Sequence, residues 1–247
     1  MSLSRSAARY HNLMPALAAV FVVLLAGCEV REDITISVDG SGTAETEIGL
    51  DRVFLRYLRD LSGSMGGAED DLRIFDLEEI ERRLAEREGL EVERIERGGP
   101  GELALSVRFS DVGTLLAEED TRFIRLERPD DGDRRRLVML AGRETAEEAL
   151  TYSPAADSTA VRSLLPPGGM GADEYTEYLV WALEEYEEPD TLGDKIGSAA
   201  IEVVVVVDGE ILSQSGGERR GDTVRFELPL VELLTADRPE RYSVEFR

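Results

Sequence analysis

The sequence predicts an α+β protein in which antiparallel β-hairpins form a sheet and helices pack on one of its faces. Near both ends of the chain, apolar residues alternate with polar ones on either side of short Gly-containing turns, which is the pattern of half-buried hairpins. Segments with helical spacing separate these hairpins, and a mostly helical insert is predicted around residues 143–195. No fixed-period repeat or long linker is visible, so residues 28–247 are expected to form a single domain.

Residues 1–27 have the three parts of a secretory signal. Arg5 and Arg9 supply the positive charge, and an apolar run of fifteen residues extends from Leu13 to Gly27. This run is shorter than the roughly 20 residues that a helix needs to cross a bilayer. It ends in Leu25-Ala26-Gly27-Cys28, which resembles the lipobox of bacterial lipoproteins.

Cys28 is the only cysteine of the chain and stands where a lipobox requires one. We therefore expect cleavage between Gly27 and Cys28, followed by lipidation of Cys28. Two or more acyl chains anchor a protein stably, so the membrane is the expected partner and the domain is expected on the extracytoplasmic side of the cell envelope. Glu29, rather than aspartate, follows the cysteine and slightly favours the outer membrane over the inner one. The alternative is an ordinary signal peptide with an incidental cysteine.

The composition excludes most catalytic chemistry once the signal is removed. The only histidine, His11, lies in the signal segment, so the mature chain would have neither an imidazole nor a free thiol. Nucleophilic triads, zinc and copper sites, haem and iron–sulfur clusters depend on these groups. The formal net charge of −24 also argues against nucleic acid and anionic headgroups as partners. We therefore expect no enzymatic activity, no catalytic residue, no metal and no cofactor.

Elements of both kinds follow in order along the mature chain. Asp51 and Asp76 stand where helix caps are needed, and Gly89 stands where a helix must end. Five consecutive valines at 203–207 predict a strand buried on both faces, and Pro189 is expected to end the best-patterned helix. The predicted elements are a hairpin at 29–51, a helix after Asp51, a Gly/Ser loop at 62–67, a helix between Asp76 and Gly89, hairpins at 90–109 and 123–140, a short helix at 112–118, helices at 146–150, 158–165 and 173–187, strands at 199–207, 211–215 and 223–228, a short helix at 229–234 and a terminal strand at 241–246.

Two stretches of the chain resemble a known family. After Cys28, the residues Val30-Arg31-Glu32-Asp33-Ile34-Thr35-Ile36-Ser37-Val38-Asp39-Gly40-Ser41-Gly42 lead into a return strand and a helix. Near the C-terminus, Val207-Asp208-Gly209-Glu210-Ile211 is followed by Gly216-Gly217 and Val224-Arg225-Phe226. This pattern resembles the lipoproteins of the mycobacterial LppM type, whereas the helical region 143–195 departs from it. The resemblance implies an envelope-anchored, non-catalytic α+β domain with an apolar cavity for lipid, and it transfers no binding residue.

Two Gly-rich loops each carry a methionine, and each loop adjoins an amphipathic helix. Flexible Met-bearing loops can form the rim of an adaptable apolar cavity. Trp181 and Tyr186 would flank such a cavity on helix 173–187. We therefore hypothesise a hydrophobic groove lined by Met65, Met170, Tyr175, Tyr178 and Leu179. The alternative is that the tyrosine stripe is ordinary core packing and the loops are plain connectors.

Acidic clusters give weaker signals. Asp130-Asp131-Gly132-Asp133 lacks the spacing of an EF-hand, so a hairpin turn is a better interpretation than a Ca²⁺ site. The pairs Glu184-Glu185 and Glu187-Glu188 are expected at the solvated end of a helix. The predicted function is therefore that of a non-catalytic envelope lipoprotein that binds a lipid or another apolar ligand. The alternative is a scaffold or assembly lipoprotein that docks an envelope membrane protein, and a carboxylate-based glycan hydrolase is the third class left open.

Overall fold

The structure is a computed structural model that describes residues 28–64, 75–117, 123–129, 132–151 and 164–247. Within these residues, two β-sheets and seven helices pack together, so the predicted α+β class is confirmed. The signal segment 1–27, most of the helix predicted at 158–165 and the Gly/Ser loop beyond Ser64 lie outside the described residues.

The elements are numbered here in chain order. The strands are β1 (Cys28–Ser37), β2 (Gly42–Leu50), β3 (Leu90–Glu96), β4 (Glu102–Phe109), β5 (Ile124–Glu127), β6 (Arg135–Ala141), β7 (Ala200–Asp208), β8 (Ile211–Ser215), β9 (Glu218–Arg220), β10 (Thr223–Pro229) and β11 (Glu240–Phe246). The helices are α1 (Arg52–Ser64), α2 (Leu77–Ala85), α3 (Val112–Ala117), α4 (Arg143–Thr151), α5 (Ala172–Leu183), α6 (Pro189–Ser198) and α7 (Leu230–Thr235).

Seven strands form the larger sheet, in the order β3-β4-β2-β1-β7-β10-β9. β1 and β2 form the predicted N-terminal hairpin, with Cys28 opposite Leu50 and Ile36 opposite Gly42. β7 pairs with β10 in the antiparallel sense but with β1 in parallel. This parallel pairing differs from the purely antiparallel hairpins that the sequence suggests. It places the first strand and the valine-rich strand side by side in the middle of the sheet.

Four strands form a second sheet, in the order β5-β6-β11-β8. β5 and β6 are the predicted hairpin, with Leu126 opposite Leu137. The chain leaves the larger sheet after β7, and β8 pairs with β11 instead of folding back on β7. The strand predicted at 211–215 is therefore present, but it belongs to a different sheet from the strand before it. Side chains from both sheets share one hydrophobic core.

Alternation of side chains explains which sheet faces are buried. On β1, Val30, Ile34 and Ile36 are at most 3% exposed, and the residues between them are exposed or half-buried, apart from Glu32. On β7, Val205 is fully buried on the core face and Val204 is buried on the opposite face. Val206 is only half-buried, so this strand is covered on both faces only over part of its length.

Helix ends follow the predicted capping residues. The Asp51 carboxylate accepts the backbone N–H of Val53 at 2.8 Å, and Asp76 caps α2 in the same way. The helix α5 ends at Leu183, earlier than predicted, and Pro189 begins α6 instead of ending α5. Proline suits the first helical position because the N–H that it lacks would have no partner there. No helix in the described part of the chain is long and apolar enough to cross a membrane.

Candidate functional site

Two residues of the hypothesised groove lie in the closed core. Tyr175 has no exposed surface and Leu179 is 1% exposed. The Tyr175 hydroxyl donates a hydrogen bond of 2.8 Å to the carbonyl oxygen of Leu164, and burial raises the pKa of this hydroxyl. Their spacing on α5, four residues apart, is that of a helix face packed against a core. These two side chains are therefore packed in the core of the described residues, as the alternative interpretation of the tyrosine stripe expects, and the groove itself stays a prediction.

Of the two methionines predicted to form the rim of the groove, only Met170 lies within the described residues. Met170 is half-buried and packs against the core. Met65 lies outside the described residues. Of the five hypothesised groove residues, Tyr175, Tyr178 and Leu179 share α5 because of helical spacing, and Met170 stands just before that helix. Met170, Tyr175, Tyr178 and Leu179 do not line any of the three cavities described below.

Aromatic rings on α5 form a path from the core to the surface. Tyr175 stacks on Tyr178 with ring centroids 6.5 Å apart, and Tyr178 contacts Trp181 at 6.2 Å. Tyr178 is half-buried, whereas Trp181 is 67% exposed. Among the described residues, Val38 is the other exposed large hydrophobic side chain, at 44%. The indole of Trp181 is therefore held at the surface by a ring whose neighbour is fixed in the core.

Carboxylates surround Trp181 on the same side of α5 and the turn that follows it. Glu174 and Glu177 precede it by seven and four residues, and Glu184 and Glu185 follow it by three and four. All four side chains are exposed. Helical spacing places Glu174 and Glu177 on one stripe with Trp181, and Glu184 and Glu185 lie in the turn directly after α5. The surface near the indole therefore combines an aromatic ring with negative charge.

The cavities described by the structure are unlike a lipid pocket. An apolar cavity beside α7, lined in part by Leu228, Leu233 and Tyr242, has a volume of about 30 Å³. Two larger cavities, of about 530 and 880 Å³, are open to solvent and are lined in large part by polar groups. The largest of the three contains four arginines and two aspartates. None of these three cavities is lined by a residue of the hypothesised groove.

The predicted lipidation residue is the first residue of a central strand. Cys28 begins β1 and lies opposite Leu50 of β2. On the other side of β1, Glu29 lies opposite Ala200 at the start of β7. No linker therefore separates the predicted acylation site from the folded sheet.

The chain is similar to one known protein in structure rather than in sequence. No family model and no curated protein matches the chain. Among solved structures, the chain is similar to the folded domain of LppM from Mycobacterium tuberculosis, determined by NMR. The two chains share 14% sequence identity with a TM-score of 0.41, over 90% of each chain.

The carboxylate pairs at 184–188 lie at or near the surface of the part of the chain that is described. Glu184, Glu185 and Glu188 are exposed, and Glu187 lies 3.5 Å from the Lys195 ammonium, which also contacts Asp51. No group of three or more metal-ligating side chains occurs among the described residues. The predicted Ca²⁺ alternative at 130–133 lies partly outside them.

The buried carboxyl of Glu32 was not among the candidate residues predicted from the sequence. Glu32 is 3% exposed and stands on the core face of β1 between Val30 and Ile34. One of its oxygens accepts a 2.6 Å hydrogen bond from the Thr46 hydroxyl, and the other has no hydrogen-bond partner among the described residues. Burial raises the pKa of Glu32 to about 8, although the Thr46 hydrogen bond opposes this effect. The sequence pattern of β1 could have identified this residue, because Glu32 falls in the alternating series of positions whose other side chains, Val30 and Ile34, face the core.

Proposed function

We propose that this protein is a lipid-anchored, non-catalytic protein of the bacterial cell envelope whose domain docks another envelope protein. The observation that carries the anchoring proposal is the position of Cys28. It is the only cysteine, it ends an apolar signal-like segment, and it is also the first residue of β1. Acylation there would hold the domain at the membrane surface with the outer membrane slightly favoured, since Glu29 follows the cysteine.

Docking is favoured over lipid storage by the shape of the domain. Tyr175 and Leu179 lie in the core. Among the described cavities, the apolar one beside α7 measures about 30 Å³, whereas those of about 530 and 880 Å³ are open to solvent and lined mostly by polar residues. Pockets for small-molecule ligands usually measure roughly 300–1,000 Å³. Trp181, in contrast, offers a large apolar surface to solvent. Binding of a lipid or another apolar ligand is therefore the alternative, and an exposed docking face is the function that the geometry supports better.

The absence of catalysis is proposed from composition and from side-chain placement together. After cleavage at Cys28 the chain would contain no histidine, so acid–base work would fall to carboxylates. Glu184, Glu185 and Glu188 are exposed to solvent, which suits a soluble helix end better than a cleft for glycan hydrolysis.

The anchoring proposal is tested by mass spectrometry of the protein produced in a bacterium with lipoprotein-processing enzymes. We expect the wild-type chain to begin at Cys28 and to carry acyl chains on that residue. Cys28→Ser should accumulate as an unacylated chain that retains residues 1–27. Glu29→Gln is the matched control and should still be cleaved and acylated. Acyl chains on the Cys28→Ser variant, or a wild-type chain cleaved elsewhere, would contradict the proposal.

Docking and lipid binding are separated by analysing what copurifies with the acylated protein. We expect organic extracts of the washed protein to contain no stoichiometric non-covalent lipid. A single lipid class recovered at one molecule per protein, and unchanged when Trp181 is replaced, would favour the apolar-ligand alternative.

A further inference from the structure

Trp181 is exposed in a way that suits binding rather than folding. It is the only tryptophan of the chain and is 67% exposed, so its side chain contributes little to the core. Its ring contacts Tyr178, which stacks on the fully buried Tyr175. This support limits the motion of the indole, and a side chain ordered in advance loses less entropy when a partner binds. Tryptophan is also among the residues most enriched at binding hot spots.

The charge around the indole identifies the chemistry of the partner. Glu174 and Glu177 precede Trp181 on its face of α5, Glu184 and Glu185 lie in the turn after it, and all four are exposed. The sequence between Gly171 and Glu188 contains no arginine or lysine. A guanidinium or ammonium group can bind the face of an indole and pair with neighbouring carboxylates at the same time.

We propose that this aromatic and acidic surface of α5 and the turn after it, formed by Trp181, Tyr178 and the four glutamates, docks a basic segment of a partner protein. This inference rests on the proposed docking function and names the class of partner. Arginine or lysine side chains of the partner would stack on Trp181 and pair with Glu177 or Glu185. Apolar side chains next to them would cover the rest of the indole.

The same charges disfavour two other occupants of this face. An anionic lipid surface would repel the four glutamates, because like charges brought together at an interface cost free energy. A second copy of the chain would bring two acidic stripes together if α5 packed on α5. A basic polypeptide is the occupant whose charge complements the stripe.

The test uses the acylated full chain reconstituted in phosphatidylcholine vesicles. The probe is a short amphipathic peptide of leucine and arginine, and the control peptide has glutamate in place of arginine. Because Trp181 is the sole tryptophan, its emission reports contact at this face directly. We expect the arginine peptide to shift the emission to shorter wavelengths and the glutamate peptide to leave it unchanged. Binding should weaken as salt is added.

Variants identify the surface by anisotropy of the labelled arginine peptide. Trp181→Ala should weaken binding by about tenfold to thirtyfold, as expected for a hot-spot residue. The double variant Glu177→Gln and Glu185→Gln should also weaken it and should reduce its salt dependence. Glu91→Gln removes an exposed carboxylate from the edge strand β3 and is the matched control, which should bind like wild type. Circular dichroism checks that each variant is folded.

Three results would overturn the proposal. The first is equal peptide binding by wild type and Trp181→Ala. The second is quenching of Trp181 by brominated lipid in the absence of peptide, which would place this face in the bilayer. The third is self-association that Trp181→Ala abolishes, which would make a second copy the occupant. Failure of acylation at Cys28 would contradict the anchoring proposal alone, because peptide binding can be measured on the unacylated chain as well.

Discussion

Replacement of Glu32 by glutamine should change how the stability of the domain depends on pH. Glu32 stands on the core face of β1, with one oxygen hydrogen-bonded to Thr46 and the other without a partner among the described residues. Burial disfavours its charged form and raises its pKa from 4.5 to about 8. The folded state therefore holds this proton more tightly than the unfolded state does.

The sign and size of the effect follow from proton linkage. Between pH 4.5 and about 8 the folded chain keeps the Glu32 proton and the unfolded chain loses it, so the free energy of unfolding falls as pH rises. Each pH unit in this window costs about 1.4 kcal/mol. The total loss is on the order of 4 to 5 kcal/mol, and it is complete above pH 8. Glutamine carries no such proton, so Glu32→Gln should lack this loss.

Urea unfolding followed by far-UV circular dichroism measures this difference at intervals from pH 5 to pH 9. Fluorescence is less suitable because the sole tryptophan is exposed in the folded state. We expect Glu32→Gln to gain stability relative to wild type as pH rises, and the difference to level off above pH 8. Glu29→Gln, an exposed carboxyl on the same strand, is the matched control and should follow the wild-type profile.

A constant difference between wild type and Glu32→Gln across this pH range would refute the reasoning. It would mean that water or another group solvates the carboxylate in the folded protein. Thr46→Val gives an independent check, because removal of the hydroxyl takes away the hydrogen bond that favours the charged form. This variant should make the loss of stability at high pH larger.

Three further substitutions test local features of the fold by the same unfolding assay. Asp76→Ala should lower the free energy of unfolding by about 1 kcal/mol because α2 loses its N-cap, and Asp76→Asn should restore most of it. Tyr175→Phe should cost about 1 kcal/mol, since a buried carbonyl loses its hydrogen bond; no loss would show that water replaces the hydroxyl. Gly42→Ala should cost about 1–3 kcal/mol, because its Cβ would lie 2.0 Å from the Thr35 carbonyl oxygen. Gly49→Ala on the same strand has open space and should be tolerated.

Local chemistry made much of the secondary structure predictable. The hairpin of β1 and β2 was predicted because alternating side chains and the turn at 39–42 lie within one short stretch. Asp51 and Asp76 cap helices as predicted, since a cap depends on backbone groups only two or three residues away. Gly89 has a φ of +77°, a conformation that glycine adopts readily.

Features that depend on distant residues were not predictable in this way. The parallel pairing of β1 with β7 joins two strands that are far apart in the sequence. The residues of neither strand indicate which strand will lie beside it. Periodicity placed Tyr175 and Leu179 on one face of α5 but did not distinguish a groove wall from a closed core. It also did not show that Trp181, on the same helix, would be the exposed ring.

Because Cys28 is the first residue of β1, the proposed anchor would hold the domain close to the membrane surface, which affects how the domain would encounter a partner. β1 has ten residues and rises about 3.3 Å per residue, so its far end lies about 30 Å from Cys28, the residue proposed to be acylated. If Cys28 is acylated as proposed, a domain on so short an attachment would search for its partner within the plane of the bilayer. Confinement of two molecules to one layer raises their effective concentration, so that even millimolar intrinsic affinity can give an occupied complex. Under the docking proposal, the exposed indole of Trp181 and its neighbouring carboxylates would therefore need only a weak intrinsic affinity for the partner.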